Sequence, residues 1–90
     1  MNAQARPKLG KGVKLHDGSD GRCMLLVPEG ALVLNRVAAV ALKLVDGERS
    51  LAEIVAAVVE QFDVEPQRAR DDLNGLFDRL AERGFLRCSP

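Results

Sequence analysis

The spacing of apolar positions divides the chain into a strand-like front third and a helical remainder. Val13 to His16 is a short strand candidate, and Cys23-Met24-Leu25-Leu26-Val27 is a continuous apolar run of strand length. Ala31 to Leu34 reads as a third strand. Asp17-Gly18-Ser19-Asp20-Gly21 is a dense turn signal between the first and second strands. Pro28-Glu29-Gly30 separates the second from the third: proline presets φ at the first corner and glycine suits the exit. Strands in succession joined by tight turns make an antiparallel meander.

From Asn35 onward the apolar period lengthens to that of a helix. Asn35 is an N-cap, since its side chain can accept from the free N–H groups of the following turn. Helix one then runs from Arg36 to Val45, mostly buried, with Arg36, Ala39 and Lys43 as a weak outer face and Gly47 as its left-handed stop. Ser50 and Glu53 form a capping box for helix two, whose apolar positions are Leu51, Ile54, Val55, Val58 and Phe62. Helix three starts at Pro66, buries Ala69, Leu73, Leu76, Phe77 and Leu80, and is stopped by Gly84. Phe85 and Leu86 fold back as a hydrophobic closure. The pattern predicts an α+β domain over residues 1–90, a three-stranded antiparallel β-meander followed by three α-helices. Helices two and three resemble a helix-turn-helix, so the layout is winged-helix-like.

Composition sharpens this. Ninety residues suffice for one domain, and with three Phe, no Tyr and no Trp its core must be aliphatic. Thirteen Lys and Arg balance thirteen Asp and Glu, which leaves no overall field to steer the protein toward phosphates or an anionic membrane. The exception is the N-terminal segment, where Arg6, Lys8, Lys11 and Lys14 occur without an acid. Residues 1–8 read as a flexible basic arm. Met1 to Pro7 has no apolar run fit for a signal peptide, and the most apolar stretch, Val37 to Val45, is too short to span a bilayer. The expected setting is cytoplasmic, with Cys23 and Cys88 as free thiols.

Candidate chemistry is sparse. His16 lies beside a turn, and neither cysteine has a base near it in sequence. No Cys or His cluster has metal-ligand spacing, so no metal and no cofactor are expected. Asp71 and Asp72 are adjacent on helix three and diverge by about 100°, which rules out a facing carboxylate pair. No catalytic residue is assigned. Helix three would be the recognition helix of a winged-helix DNA-binding transcription regulator, the alternative function. Its outer face mixes Arg68, Arg70, Asp71, Asp72, Asp78, Arg79, Glu82 and Arg83, however, and the acids would oppose phosphates.

The third strand is the informative feature. Strand one, an edge of the meander, is guarded by Pro7, Lys8, Lys11 and Lys14 along or just before it. Ala31, Leu32, Val33 and Leu34 form the other edge with no charge or proline and with apolar residues on both faces. Two covers suit it: helix three or a partner copy, or an extended peptide that adds as a fourth strand.

The series Leu26-Val27-Pro28-Glu29-Gly30, Leu34-Asn35, Leu42-Lys43-Leu44-Val45-Asp46-Gly47, Ser50-Leu51-Ala52-Glu53-Ile54 and Leu80-Ala81-Glu82-Arg83-Gly84 resembles the PqqD family, the peptide chaperones of pyrroloquinoline quinone biosynthesis. The resemblance runs from about Pro7 to Leu86. It implies a recognition element that holds the ribosomal precursor peptide PqqA and presents it to the radical S-adenosylmethionine enzyme PqqE. It implies peptide pairing along Ala31, Leu32, Val33 and Leu34, in a groove shared with helix three. There Asp72, Gly75, Leu76 and Arg79 share one side and form the opposite wall. Gly75 in mid-helix fits either close approach of a peptide backbone or a tight helix–sheet contact inside the protein. Val37 and Ala41 stand where Thr or Ser, and Ile, would be expected, a departure that concerns helix-one packing more than the binding edge. Nucleic acid and membrane are not expected partners. The expected state is a monomer that can swap strands into a dimer at high concentration.

Overall fold

The computed structural model describes residues 1–18 and 22–89. Its elements in order are β1 (Arg6–Leu9), β2 (Lys14–Asp17), β3 (Cys23–Val27), β4 (Gly30–Leu34), α1 (Arg36–Lys43), α2 (Leu51–Phe62), α3 (Pro66–Glu82) and β5 (Leu86–Ser89). The architecture is α+β. The expected meander is present as a three-stranded antiparallel sheet of order β2-β3-β4, in which Leu25 faces Leu15 on one side and Leu32 on the other. Of the turn read at Asp17 to Gly21, residues 19–21 lie outside the described residues.

Helix boundaries follow their capping chemistry. The Asn35 side chain accepts from the Ala38 N–H at 2.7 Å. The Ser50 hydroxyl accepts from the Glu53 N–H at 3.2 Å while the Glu53 carboxylate accepts from the Ser50 N–H at 3.1 Å, completing the capping box. Pro66 opens α3 behind an N-cap at Glu65, whose carboxylate accepts from the N–H groups of Gln67 and Arg68. At its other end Gly84, at φ +79°, lets the Phe85 N–H donate to the Leu80 carbonyl and its own N–H to that of Ala81. That pattern is a Schellman closure, with the buried Phe85 and Leu80 as its apolar contact.

Four sequence expectations change. The segment 1–8, read as a flexible arm, is built into the fold. Arg6–Leu9 pairs antiparallel with Leu86–Ser89 as a second, two-stranded sheet, with Pro7 fully buried. The carbonyls of Ala5 and Ala3 accept from the first N–H groups of α2, at Leu51 and Ala52. The Met1 amine donates to Asn74 and Asp78 on α3. Pro7 and Lys8 consequently belong to a different sheet from β2, and among the proposed guards only Lys14 lies on that strand. Helix one is shorter than read. It ends at Lys43 with Leu44 as C-cap, Ala39 is buried, and Gly47, although left-handed at φ +82°, lies in the following turn. The closure at Phe85 and Leu86 is likewise the entry to a strand, β5.

The core lies between the meander and the helices. Leu25, Ala41, Leu42, Ile54, Val58 and Phe77 have no exposed surface. Their packing fixes α3 alongside β4 and thereby sets the shape of the surface between them.

Candidate functional site: the groove between β4 and α3

Sheet parity determines what β4 presents. Gly18 donates to the Arg22 carbonyl across the β2–β3 hairpin. Hydrogen-bonded pairs alternate along an antiparallel ladder. On β3, residues 22, 24 and 26 therefore bond β2, and 23, 25 and 27 bond β4. Their partners on β4 are Leu34, Leu32 and Gly30. The N–H and C=O groups of Ala31 and Val33 consequently point away from β3, along the free edge of the sheet. Side chains divide in the same alternation. Leu32 and Leu34 are half-buried toward the core, whereas Ala31 is exposed and Val33 is 69 % exposed.

A groove of about 430 Å³ runs beside this edge. Val33, Leu34 and Asn35 line one side and Asp71, Asp72, Leu73, Gly75, Leu76 and Arg79 of α3 the other, with Val37 and Ala38 at the end. A smaller hollow of about 210 Å³ continues it past Leu32, Leu76, Arg79, Leu80 and Arg83. The structure thus brings Leu32, Val33 and Leu34 together with Asp72, Gly75, Leu76 and Arg79. Ala31 lines neither part; it contributes only outward-facing backbone.

The two readings of Gly75 are now distinguishable. A Cβ built there would meet one atom group, the Arg79 guanidinium, with the nearest nitrogen at 3.5 Å. Among the described residues no tight helix–sheet contact requires a glycine there, and Gly75 lines the groove beside the Arg79 side chain. Sequence reasoning missed Asn35, Val37, Ala38, Asp71, Leu73, Leu80 and Arg83. Arg83 was available as the next helical step after Asp72, Leu76 and Arg79. Val37 was assigned to helix packing, but its half-buried side chain also lines the groove; Ala41 alone is a core position, with no exposed surface.

The remaining candidate groups stay outside this groove. His16 is exposed on β2. Cys23 is buried and Cys88 exposed, both free. Burial pushes both thiols up, and neighbouring Asp17 adds to the shift at Cys23, the direction opposite to that of an activated thiolate. A second cavity of about 510 Å³ opens beyond Asn35. There Arg36 stacks on the Phe62 ring at 5.8 Å and Lys43 pairs with Asp17 at 3.4 Å. Among the described residues no three His, Cys, Asp or Glu side chains converge as metal ligands, and no helix is long and apolar enough to cross a membrane.

Comparison with known proteins gives a consistent result. Residues 22–86 match the family described as coenzyme PQQ synthesis protein D, PqqD. A PqqA binding protein of Rhizobium meliloti is 35 % identical over 80 residues, covering 88 % of this chain and 82 % of that protein. One from Xanthomonas euvesicatoria is 34 % identical over 88 residues, covering 97 % and 96 %. The solution structure of the PqqD portion of Methylobacterium extorquens PqqCD superposes with a TM-score of 0.76 at 29 % identity, covering 90 % of this chain and 87 % of that one. That portion is described as a functional, stand-alone recognition element for ribosomally synthesized and post-translationally modified peptides.

Proposed function

Because this chain belongs to the PqqD family, we propose that it is a peptide chaperone of pyrroloquinoline quinone biosynthesis, which binds the precursor peptide PqqA by strand addition to β4. The observation that carries the reading is the open edge beside a groove: Ala31 and Val33 offer unpaired backbone, and α3 supplies a wall for side chains. Main-chain hydrogen bonds would provide the hold and the groove the selectivity. The bound peptide is then presented to the radical S-adenosylmethionine enzyme PqqE in the cytoplasm. The chain itself acts as a binding protein and contributes no cofactor, metal ligand or catalytic residue to that step.

The winged-helix regulator reading has less support. Duplex binding by α3 would bring Asp71 and Asp72 against phosphates, and thirteen acids cancel thirteen bases overall. Titration of labelled PqqA, with a random DNA duplex in parallel, tests both readings. Saturable peptide binding is expected, with no saturable duplex binding. Val33→Pro removes an outward-facing donor and should abolish peptide binding in a folded protein. Leu32→Pro removes a bond to β3 and should unfold the sheet. Parent-like binding by folded Val33→Pro would overturn strand addition. Cross-linking of PqqA by PqqE should slow when this chain is withheld; an unchanged rate would remove the presenting role.

A further inference from the structure

The two ends of the groove carry opposite charge. On the reading that a peptide adds to β4, we infer that the site selects its peptide by charge order: a basic side chain opposite Leu34, an apolar one opposite Leu32 and an acidic one opposite Gly30. The observations lie along α3, which runs antiparallel to β4. Asp71 and Asp72 stand where the groove meets Leu34 and Asn35. Seven to twelve residues later, Arg79 and Arg83 flank the hollow at Leu32 beside Leu76 and Leu80, and Arg79 also borders the groove.

These charges are available to a ligand. No ion pair to Arg79 or Arg83 occurs among the described residues. Asp72 faces Arg68 at 3.9 Å, with both side chains more than two-thirds exposed. Asp71 accepts a hydrogen bond from the Gln67 amide at 3.0 Å, a neutral partner. Exposed contacts of this kind are weak and easily exchanged.

Strand geometry converts the two charged ends into a sequence pattern. Added-strand residues opposite Leu34, Leu32 and Gly30 share the face on which Leu32 and Leu34 point to the core. An antiparallel addition continues the existing sheet pattern and is the more stable pairing. It places the peptide's N-terminal end at Leu34. The selected order, from the peptide N-terminus, is basic, any, apolar, any, acidic. The apolar member packs on Leu76 and Leu80.

Two capped synthetic peptides of identical composition test this, one with the core Lys-Thr-Val-Thr-Glu and the other Glu-Thr-Val-Thr-Lys. Binding is followed by amide chemical shifts of the isotope-labelled full chain. The Lys-first peptide should bind on the order of tenfold tighter, because reversal replaces attraction by repulsion at both ends. One molar salt should erase the difference. In the quadruple variant Asp71→Lys, Asp72→Lys, Arg79→Glu and Arg83→Glu, all at exposed positions, the preference should invert. Equal affinities, or a preference that survives the charge exchange, would overturn the charge order while leaving strand addition standing. If neither peptide shifts the β4 and α3 amides, the groove reading fails and the charge order fails with it.

Discussion

Gly75 lines the groove from the middle of α3. A glycine in mid-helix costs roughly 1 kcal/mol relative to alanine. The only neighbour a methyl group would meet is the flexible Arg79 side chain at ordinary contact distance. Gly75→Ala should therefore raise the melting temperature and, by narrowing the groove floor, weaken peptide binding. Thermal melts and calorimetric titration of the same variant check both halves. A lower melting temperature would mean that the fold, not the groove, requires the glycine. Asp46 plays a simpler part. Its carboxylate accepts from the N–H groups of Arg49 and Glu48 and pairs with the Arg49 guanidinium at 2.8 Å. The Arg49 backbone bond, first among these, holds the carboxyl below its ordinary value of 3.8. A group depressed on folding stabilises the protein above its unfolded pKa, and that contribution is lost as pH falls through the folded value. Asp46→Ala should thus melt below the parent at neutral pH. The gap should close in acid, as a series of melts from pH 7 downward would show.

At the scale of elements, the capping chemistry of α2 joins local and distant parts of the chain. Ser50 satisfies the third N–H, a contact legible from the Ser-x-x-Glu spacing. The first and second N–H groups are satisfied by the carbonyls of Ala5 and Ala3, more than forty residues away. Deleting residues 1–5 should accordingly destabilise the domain by about 1–2 kcal/mol, measured by denaturant titration. A flexible arm would leave the midpoint unchanged. This contrast explains what was legible in the sequence. The meander, the three helices and the N-caps at Asn35 and Ser50 rest on short-range patterns, and the structure contains them. The β1–β5 sheet joins residues about eighty apart. Arg-Pro-Lys-Leu has too few apolar positions to announce a strand, and only the distant partner makes it one. The candidate site divides in the same way. Edge position and apolar run singled out Ala31–Leu34, whereas the family resemblance implied the opposite wall, Asp72, Gly75, Leu76 and Arg79. Asn35 and Val37 line the groove where β4 passes into α1 opposite α3, a tertiary placement that no local pattern encodes.

For the whole molecule, the open edge raises the question of self-association. The Cα radius of gyration is 12.3 Å, and about 12 Å is typical of a compact 90-residue chain. One copy is thus compact by itself, with Arg6–Leu9 and Leu86–Ser89 paired as a sheet. One edge open to a second copy is β4, five residues long, with outward-facing backbone at Ala31 and Val33, and β2 is the opposite edge of the same sheet. Stable protein interfaces bury on the order of 1,200–2,000 Å². A paired β4 edge carrying one strongly exposed large apolar side chain, Val33, is small against that scale. Zero net charge adds no long-range repulsion, so weak pairing is permitted at high concentration. We expect a monomer at low micromolar concentration by sedimentation equilibrium and a minor dimer only in the millimolar range. If that dimer forms through β4, Val33→Pro should suppress it and saturating peptide should dissolve it, since both act on the same donors. A dimer that persists at low micromolar concentration in the presence of peptide would instead locate self-association on another surface and leave β4 open to its ligand in both states.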